Sequence, residues 1–135
     1  GKKLMAIKDT FLATALAGCC LALRLIHWEE TRLEVAADFR FPPDFHGFQG
    51  HFPGNPILPA IFQVAAVRFV AERAMGHALL PVLHQKIKFK GVVRPDDPVT
   101  LAITLVKDDV KWRATFSLQR PNGEAIAAGF AEFIE

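Results

Sequence analysis

The chain has 135 residues, 51% of them hydrophobic and 22% charged, with 16 Lys and Arg against 14 Asp and Glu. That length suits one domain, expected over residues 1–135, with ample core; it argues against disorder and against a two-domain cofactor enzyme. The near balance of charge lacks the basic stripe of a nucleic-acid binder, and a chain with 12 Phe, 2 Trp and no Tyr has no tyrosine for proton transfer.

In chain order, Lys2, Lys3, an apolar run and Leu16-Ala17-Gly18-Cys19 imitate a lipoprotein signal, but Lys8 and Asp9 interrupt it. The 14 residues between Asp9 and Arg24 are too few for a membrane span of ~20. The segment reads as an amphipathic helix of a cytoplasmic protein with no membrane partner, and Gly1, in place of an initiator Met, as an expression remnant. Cys19 and Cys20 are adjacent, where a disulfide between them would be strained; they read as free thiols in a reducing compartment. No Cys or His spacing points to zinc, and neither a metal nor a cofactor is expected.

Cys20 to His27 and Arg32 to Phe39 read as two strands joined at Glu29-Glu30-Thr31. Residues 40 to 56, RFPPDFHGFQGHFPGNP, hold four Pro and three Gly and predict an irregular loop. Ile57 to Met75 is nearly all apolar and stops at Gly76, as a helix wrapped on most of its surface does. Pro59 and the charges of Arg68, Glu72 and Arg73 argue against a membrane span there. Four strand-like runs follow, Leu83 to Val93, Val99 to Lys107, Lys111 to Gln119 and Glu124 to Ile134, and predict an antiparallel meander curled around the helix, an α+β fold.

Gly50-His51-Phe52-Pro53-Gly54-Asn55-Pro56-Ile57-Leu58-Pro59-Ala60 resembles the active-site motif G-H-F-P-G-x-P-(V/I)-(M/L)-P-G of the hotdog-fold FabZ/FabA-like 3-hydroxyacyl-acyl-carrier-protein dehydratases. Lys88-Phe89 to Asp97 is similar to that family's K-F-x-x-x-V-x-P-G-D segment. Gln63 and Ile57-Leu58 are also similar to the aryl-polyene dehydratase-like branch, G-H-F-x-x-x-P-I-L-P-G-V-x-Q. The resemblance implies a hotdog domain acting on thioesters of acyl carrier protein or coenzyme A. It implies at least a homodimer, because the family builds each site from the loop histidine of one subunit and the helix of the other.

Eliminating water from a 3-hydroxyacyl thioester needs a base for the α-proton, a donor for the departing hydroxyl and a stabiliser for charge on the thioester oxygen. Imidazole ordinarily titrates near neutrality, which suits His51 to the role of base. The resemblance assigns the backbone N–H of Ala60, at the positive end of the helix dipole, to the thioester oxygen. Phe52, Gly54, Pro59, Ile61 and Gln63 are the substrate-binding candidates.

The family's second catalytic residue, a Glu or Asp, falls on Ala65, and the glutamine four positions later on Phe69; neither replacement donates a proton. Gln63, two positions from Ala65, is turned from it by about 200°. Glu72 lies on the Ala65 face roughly 10 Å further along, and Glu72 and Asp44 are the candidate substitute acids, with a bound water as the other donor. The plainer readings are an i,i+4 ion pair for Arg68 and Glu72, a turn residue for Asp44, a satisfied core carbonyl for Gln63, a surface residue for His46, structural roles for His27, His77 and His84, and core packing for Phe45, Phe48, Phe52, Phe62 and Phe69. Lys86, Lys88, Lys90 and Arg94 form either a lysine-guarded sheet edge or a landing patch for an acidic carrier protein. A non-catalytic acyl-thioester-binding protein and a hotdog thioesterase, with Gln63 or Glu72 positioning a water, are the alternatives to the dehydratase-like lyase.

Overall fold

The computed structural model describes residues 2–49 and 54–135, with backbone alone for 2–10 and 81–84. Among the described residues the elements run α1 (Lys2–Cys19), β1 (Cys20–Glu29), β2 (Arg32–Phe39), a 3-10 turn (His46–Phe48), α2 (Ala60–Met75), β3 (Leu80–Phe89), β4 (Val99–Asp108), β5 (Lys111–Gln119) and β6 (Ala125–Ile134). The strands form one six-stranded sheet in the order β1-β2-β4-β5-β6-β3, antiparallel throughout. With α2 against one face this is the α+β hotdog architecture.

The expected four-strand meander is corrected. Only β4, β5 and β6 follow one another; β3 crosses to the far edge and pairs with β6, while β4 pairs with β2. After Phe89 the regular ladder ends in a bulge-like pattern, the amides of Lys90 and Gly91 both donating to the one Ile126 carbonyl of β6 at 2.8 and 3.1 Å. β3 therefore ends at Phe89 rather than Val93. Gly129 lets β3 lie close, because a Cβ there would run into the Lys86 carbonyl and stand 2.9 Å from the Ile87 Cα. The helix likewise starts at Ala60 rather than Ile57, and stops at Gly76, whose φ of 80° is left-handed and whose amide donates to the Glu72 carbonyl at 2.8 Å.

Alternation sets the core. Val99, Leu101, Ile103 and Leu105 of β4, and Trp112, Ala114, Phe116 and Leu118 of β5, point inward and are buried. Ala66, Val67, Phe69, Val70 and Ala71 of α2 pack onto them and onto Leu33, Val35, Ala37 and Phe39 of β2. β1 lies beyond this cover, so Leu23, Leu25 and Trp28 remain exposed. It is held instead from the outer face, where Arg24 grips Asp38 of β2 in a fork at 2.6 and 3.1 Å and the Thr100 hydroxyl donates to the same carboxylate at 2.9 Å. Among the described residues no helix is long and apolar enough to cross a membrane.

The Arg24 fork holds the Asp38 carboxyl below its ordinary range against the opposing effect of burial, with a lesser contribution from the Thr100 hydroxyl. A depressed carboxylate contributes stability that is full above the unfolded value near 3.9 and is lost as pH falls through the lower folded value. Asp38→Asn therefore lowers Tm at pH 7 and leaves it nearly unchanged near pH 2, as thermal melts across that range will show.

Asp96 has φ 65°, a left-handed conformation costly to side chains other than Asn and Asp, and its amide donates to the Phe41 carbonyl at 2.8 Å. Asp96→Gly keeps that bond and raises stability by up to about 1 kcal/mol, whereas Asp96→Val lowers it by about 1–2 kcal/mol; chemical denaturation measures both.

Candidate functional site

The loop that enters α2 is tied down by main-chain bonds at each end. Arg40 donates to the Cys19 carbonyl at 3.0 Å, Asp96 to Phe41, and Leu58 to the Val93 carbonyl at 2.8 Å. Between them Phe45 N–H donates to Pro42, Phe48 N–H to Phe45 and Gln49 N–H to His46 at 2.9 to 3.1 Å, winding the 3-10 turn. His51 and Phe52 lie outside the described residues.

The 3-10 turn carries an aromatic cluster. The His46 ring lies 4.7 Å from Phe45, 5.1 Å from Phe62 of α2 and 5.4 Å from Phe11 of α1. Gly47 fits beneath it because a Cβ would come within 2.8 Å of the Phe45 ring. His46 is thus half-buried rather than on the open surface. Phe45, Phe48 and Phe69 are core, and Phe62 packs at its margin.

α2 begins without a side-chain cap: Pro59 precedes it in extended conformation, and no described residue accepts from the amides of Ala60 or Ile61. Both residues are exposed, so two N–H groups stand at the positive helix end. Pro59 immediately precedes this helix start, Gly54 lies earlier in the entering segment with φ 81° and open space around its Cα, and neither lines the cavity described next.

Gln63 and Ala65 point to different sides. Gln63 faces the seam between α2 and the sheet, beside Phe39, Phe41, Ile87 and Leu118. Its amide nitrogen donates to the Leu58 carbonyl at 3.4 Å, while its buried oxygen has no partner among the described residues. Ala65 faces a cavity of about 590 Å3 between α2, α1 and β6, walled by Leu12, Leu16, Ile61, Val64 and Phe133. α2 is therefore less completely wrapped than its apolar sequence predicts.

Arg68, Glu72 and Gln85 supply polar groups to this cavity. Glu72 accepts the Leu79 amide at 2.8 Å, Arg68 Nε donates to the Leu79 carbonyl at 3.0 Å, and the two side chains are 3.8 Å apart. Both main-chain groups of fully buried Leu79 are thereby satisfied by the pair. Asp44 sits exposed in a turn outside the cavity wall. Burial pushes the Cys19 thiol up, and the negative charge of Asp44 adds to that. Burial also raises Cys20. Both cysteines are free, and neither is primed as a nucleophile.

Lys86 and Lys88 project from the outer face of β3, with Ile87 between them turned inward. With Arg113, Thr115 and Phe130 they line an open groove of about 570 Å3. Lys90 and Arg94 are exposed beyond the end of the strand. Among the described residues His27 pairs with Glu29 at 2.9 Å and His77 stands 3.8 Å from Glu135; the His84 side chain lies outside the described set. No cluster of three or more His, Cys, Asp or Glu able to hold a metal occurs among the described residues.

Sequence reasoning missed Arg68 and Gln85 as cavity residues, and the part of α1 in the wall. The apolar spacing of Leu12 and Leu16 on α1 was the available signal.

The chain is similar to known proteins along most of its length. FabZ 3-hydroxyacyl-[acyl-carrier-protein] dehydratase of Oenococcus oeni is 38% identical over 76 residues, 47% of this chain and 52% of that protein. The FabZ of Caldanaerobacter subterraneus subsp. tengcongensis is 40% identical over 65 residues, 43% of this chain and 46% of that one. The chain spans about half the length of the curated relatives it matches. An uncharacterized protein of Erwinia carotovora subsp. atroseptica superposes with a TM-score of 0.71 at 19% identity, over 85% of this chain and 94% of that one. The dehydratase heterocomplex ApeI:P of Xenorhabdus doucetiae superposes at 0.63 and 18%, over 86% and 96%. These two likenesses carry the fold. A family model described as ApeI-like, ApeI dehydratase, matches residues 27–130, and the chain belongs to that ApeI-like dehydratase family.

Proposed function

We propose that the chain is a dehydratase-type lyase that removes water from 3-hydroxyacyl thioesters carried by acyl carrier protein in a fatty-acid or polyene-type synthesis. The observation that carries this reading is the uncapped start of α2 beside the Ala65 cavity: free amides aimed where a thioester oxygen would gather charge, next to room for an acyl chain. His51 is the base. It takes the α-proton, the electron pair of that C–H bond becomes the new double bond, and the β C–O bond breaks. The hydroxyl leaves as water once it receives a proton. The Ala60 amide holds the enolate-like oxygen during this transfer.

The proton donor is the missing part. Ala65 offers only a methyl group, Asp44 is outside the cavity wall, Glu72 is engaged with Leu79, and Glu132, which also lines the cavity, is paired with Lys111 and Arg113 at 3.5 and 3.6 Å. A water in the cavity, the imidazolium itself, or a partner chain remains to supply it. The two-subunit site implied by the motif makes the protein at least a homodimer, and the ApeI:P neighbour, a dehydratase heterocomplex, supports a partner chain as a source of the donor. The exposed cations Lys86, Lys88, Lys90 and Arg94 suit an acidic carrier protein. Two free cysteines suit a reducing cytoplasm.

With a 3-hydroxyacyl carrier-protein substrate, the wild type forms 2-enoyl thioester slowly, His51→Ala abolishes it, and Ala65→Glu raises kcat by roughly ten- to a hundredfold at nearly constant KM. Enoyl absorbance and free thiol, followed together, decide the matter. Thiol release without enoyl formation means hydrolysis, and tight binding with neither means an inert acyl-thioester module.

A further inference from the structure

We propose that the Arg68–Glu72 pair is the length stop of the acyl cavity, restricting this protein to short and medium acyl chains. The inference rests on the reading above in one respect, that the thioester lies at the Ala60 amide.

From that amide an acyl chain lying along α2 passes Ile61, Val64 and Ala65, all in the cavity wall. At a rise of ~1.5 Å per residue it meets Arg68 after about 12 Å. At ordinary carbon–carbon bond lengths that distance holds about eight to ten carbons. Up to there the wall is largely apolar, and each added methylene gains affinity by about fourfold. Beyond it stand a guanidinium and a carboxylate, each about one-quarter exposed. A methylene pressed against them strips water from charge and gains no apolar neighbour.

The pair also cannot swing aside. Arg68 Nε holds the carbonyl and Glu72 the amide of Leu79, a residue with no exposed surface. Moving either side chain leaves a buried main-chain group without a partner, which costs more than a methylene gains. The two residues thus act as a wall rather than a gate.

The test is binding and turnover of 3-hydroxyacyl-coenzyme A thioesters from butanoyl to hexadecanoyl, with affinity read by calorimetry and turnover by enoyl absorbance. Wild-type affinity should climb about fourfold per methylene to the octanoyl or decanoyl ligand, then level or fall by dodecanoyl. Arg68→Met with Glu72→Gln, in which the glutamine oxygen still accepts from Leu79, should move that break outward by at least one even-chain step. Ala65→Leu, which leaves the Leu79 bonds untouched, should move it inward. A climb that continues to hexadecanoyl, no binding at any length, or a break unmoved in folded variants overturns the proposal. A break in binding without enoyl formation leaves the length stop standing and sinks the dehydratase reading; enoyl formation without a break does the reverse.

Discussion

The site depends on how the first turn of α2 is fixed in space. Val67, Val70 and Ala71 bury that helix against the sheet, but burial is non-directional and leaves it free to slide. Main-chain hydrogen bonds remove the freedom. The Leu58 amide is held by Val93, and Phe41, at the other end of the entering loop, by Asp96. Residues 93 and 96 lie in the same short connector between β3 and β4, so one rigid segment clamps both ends of the loop. Directed bonds at the ends, with aromatic packing of Phe45, His46 and Phe62 in between, set the loop against the helix start. A catalytic geometry that tolerates little displacement needs such fixation.

Much of this was legible in the sequence. β2 and β5 begin and end where alternation and turn residues put them, and the P-G-N-P cluster announced an irregular entry to the helix. What failed was strand order. Adjacent runs in sequence usually pair, and nothing local to Leu80–Phe89 reveals that Lys90 and Gly91 will donate to Ile126 instead of continuing the strand. The clue was the glycine at 129, whose missing side chain admits β3 beside β6. At the site, the opposed directions of Gln63 and Ala65 followed from helix geometry. The engagement of Glu72 did not, since it depends on Leu79 folding back past the helix end.

Asp96 shows how family likeness and physics meet. The similar segment in the family carries a glycine where this chain has Asp96, and here that residue has positive φ. Aspartate is among the few residues that tolerate it. The backbone path, and with it the bond to Phe41, is retained without the glycine. Ala65 is a different kind of departure from the resemblance, because a methyl group cannot do the work of the carboxylate that the motif implies there. The first change is conformationally conservative and the second removes a chemical group.

The two faces of β3 bear on how a carrier-borne substrate would arrive. Gln85 and Ile87 face inward, to the cavity and the core, while Lys86 and Lys88 project outward beside Arg113. A carrier protein held by those cations, as proposed, would therefore stand on the opposite side of the sheet from the Ala65 cavity. Its thioester arm has to pass an edge. β3 is that edge, and its pairing with β6 shifts register between Pro81 and Gln85. Charge on the outer face and the cavity on the inner one are then joined by the shortest route around the sheet. The pleat, which turns each successive side chain to the other face, would then put carrier-facing cations and cavity-lining side chains on neighbouring residues of one strand.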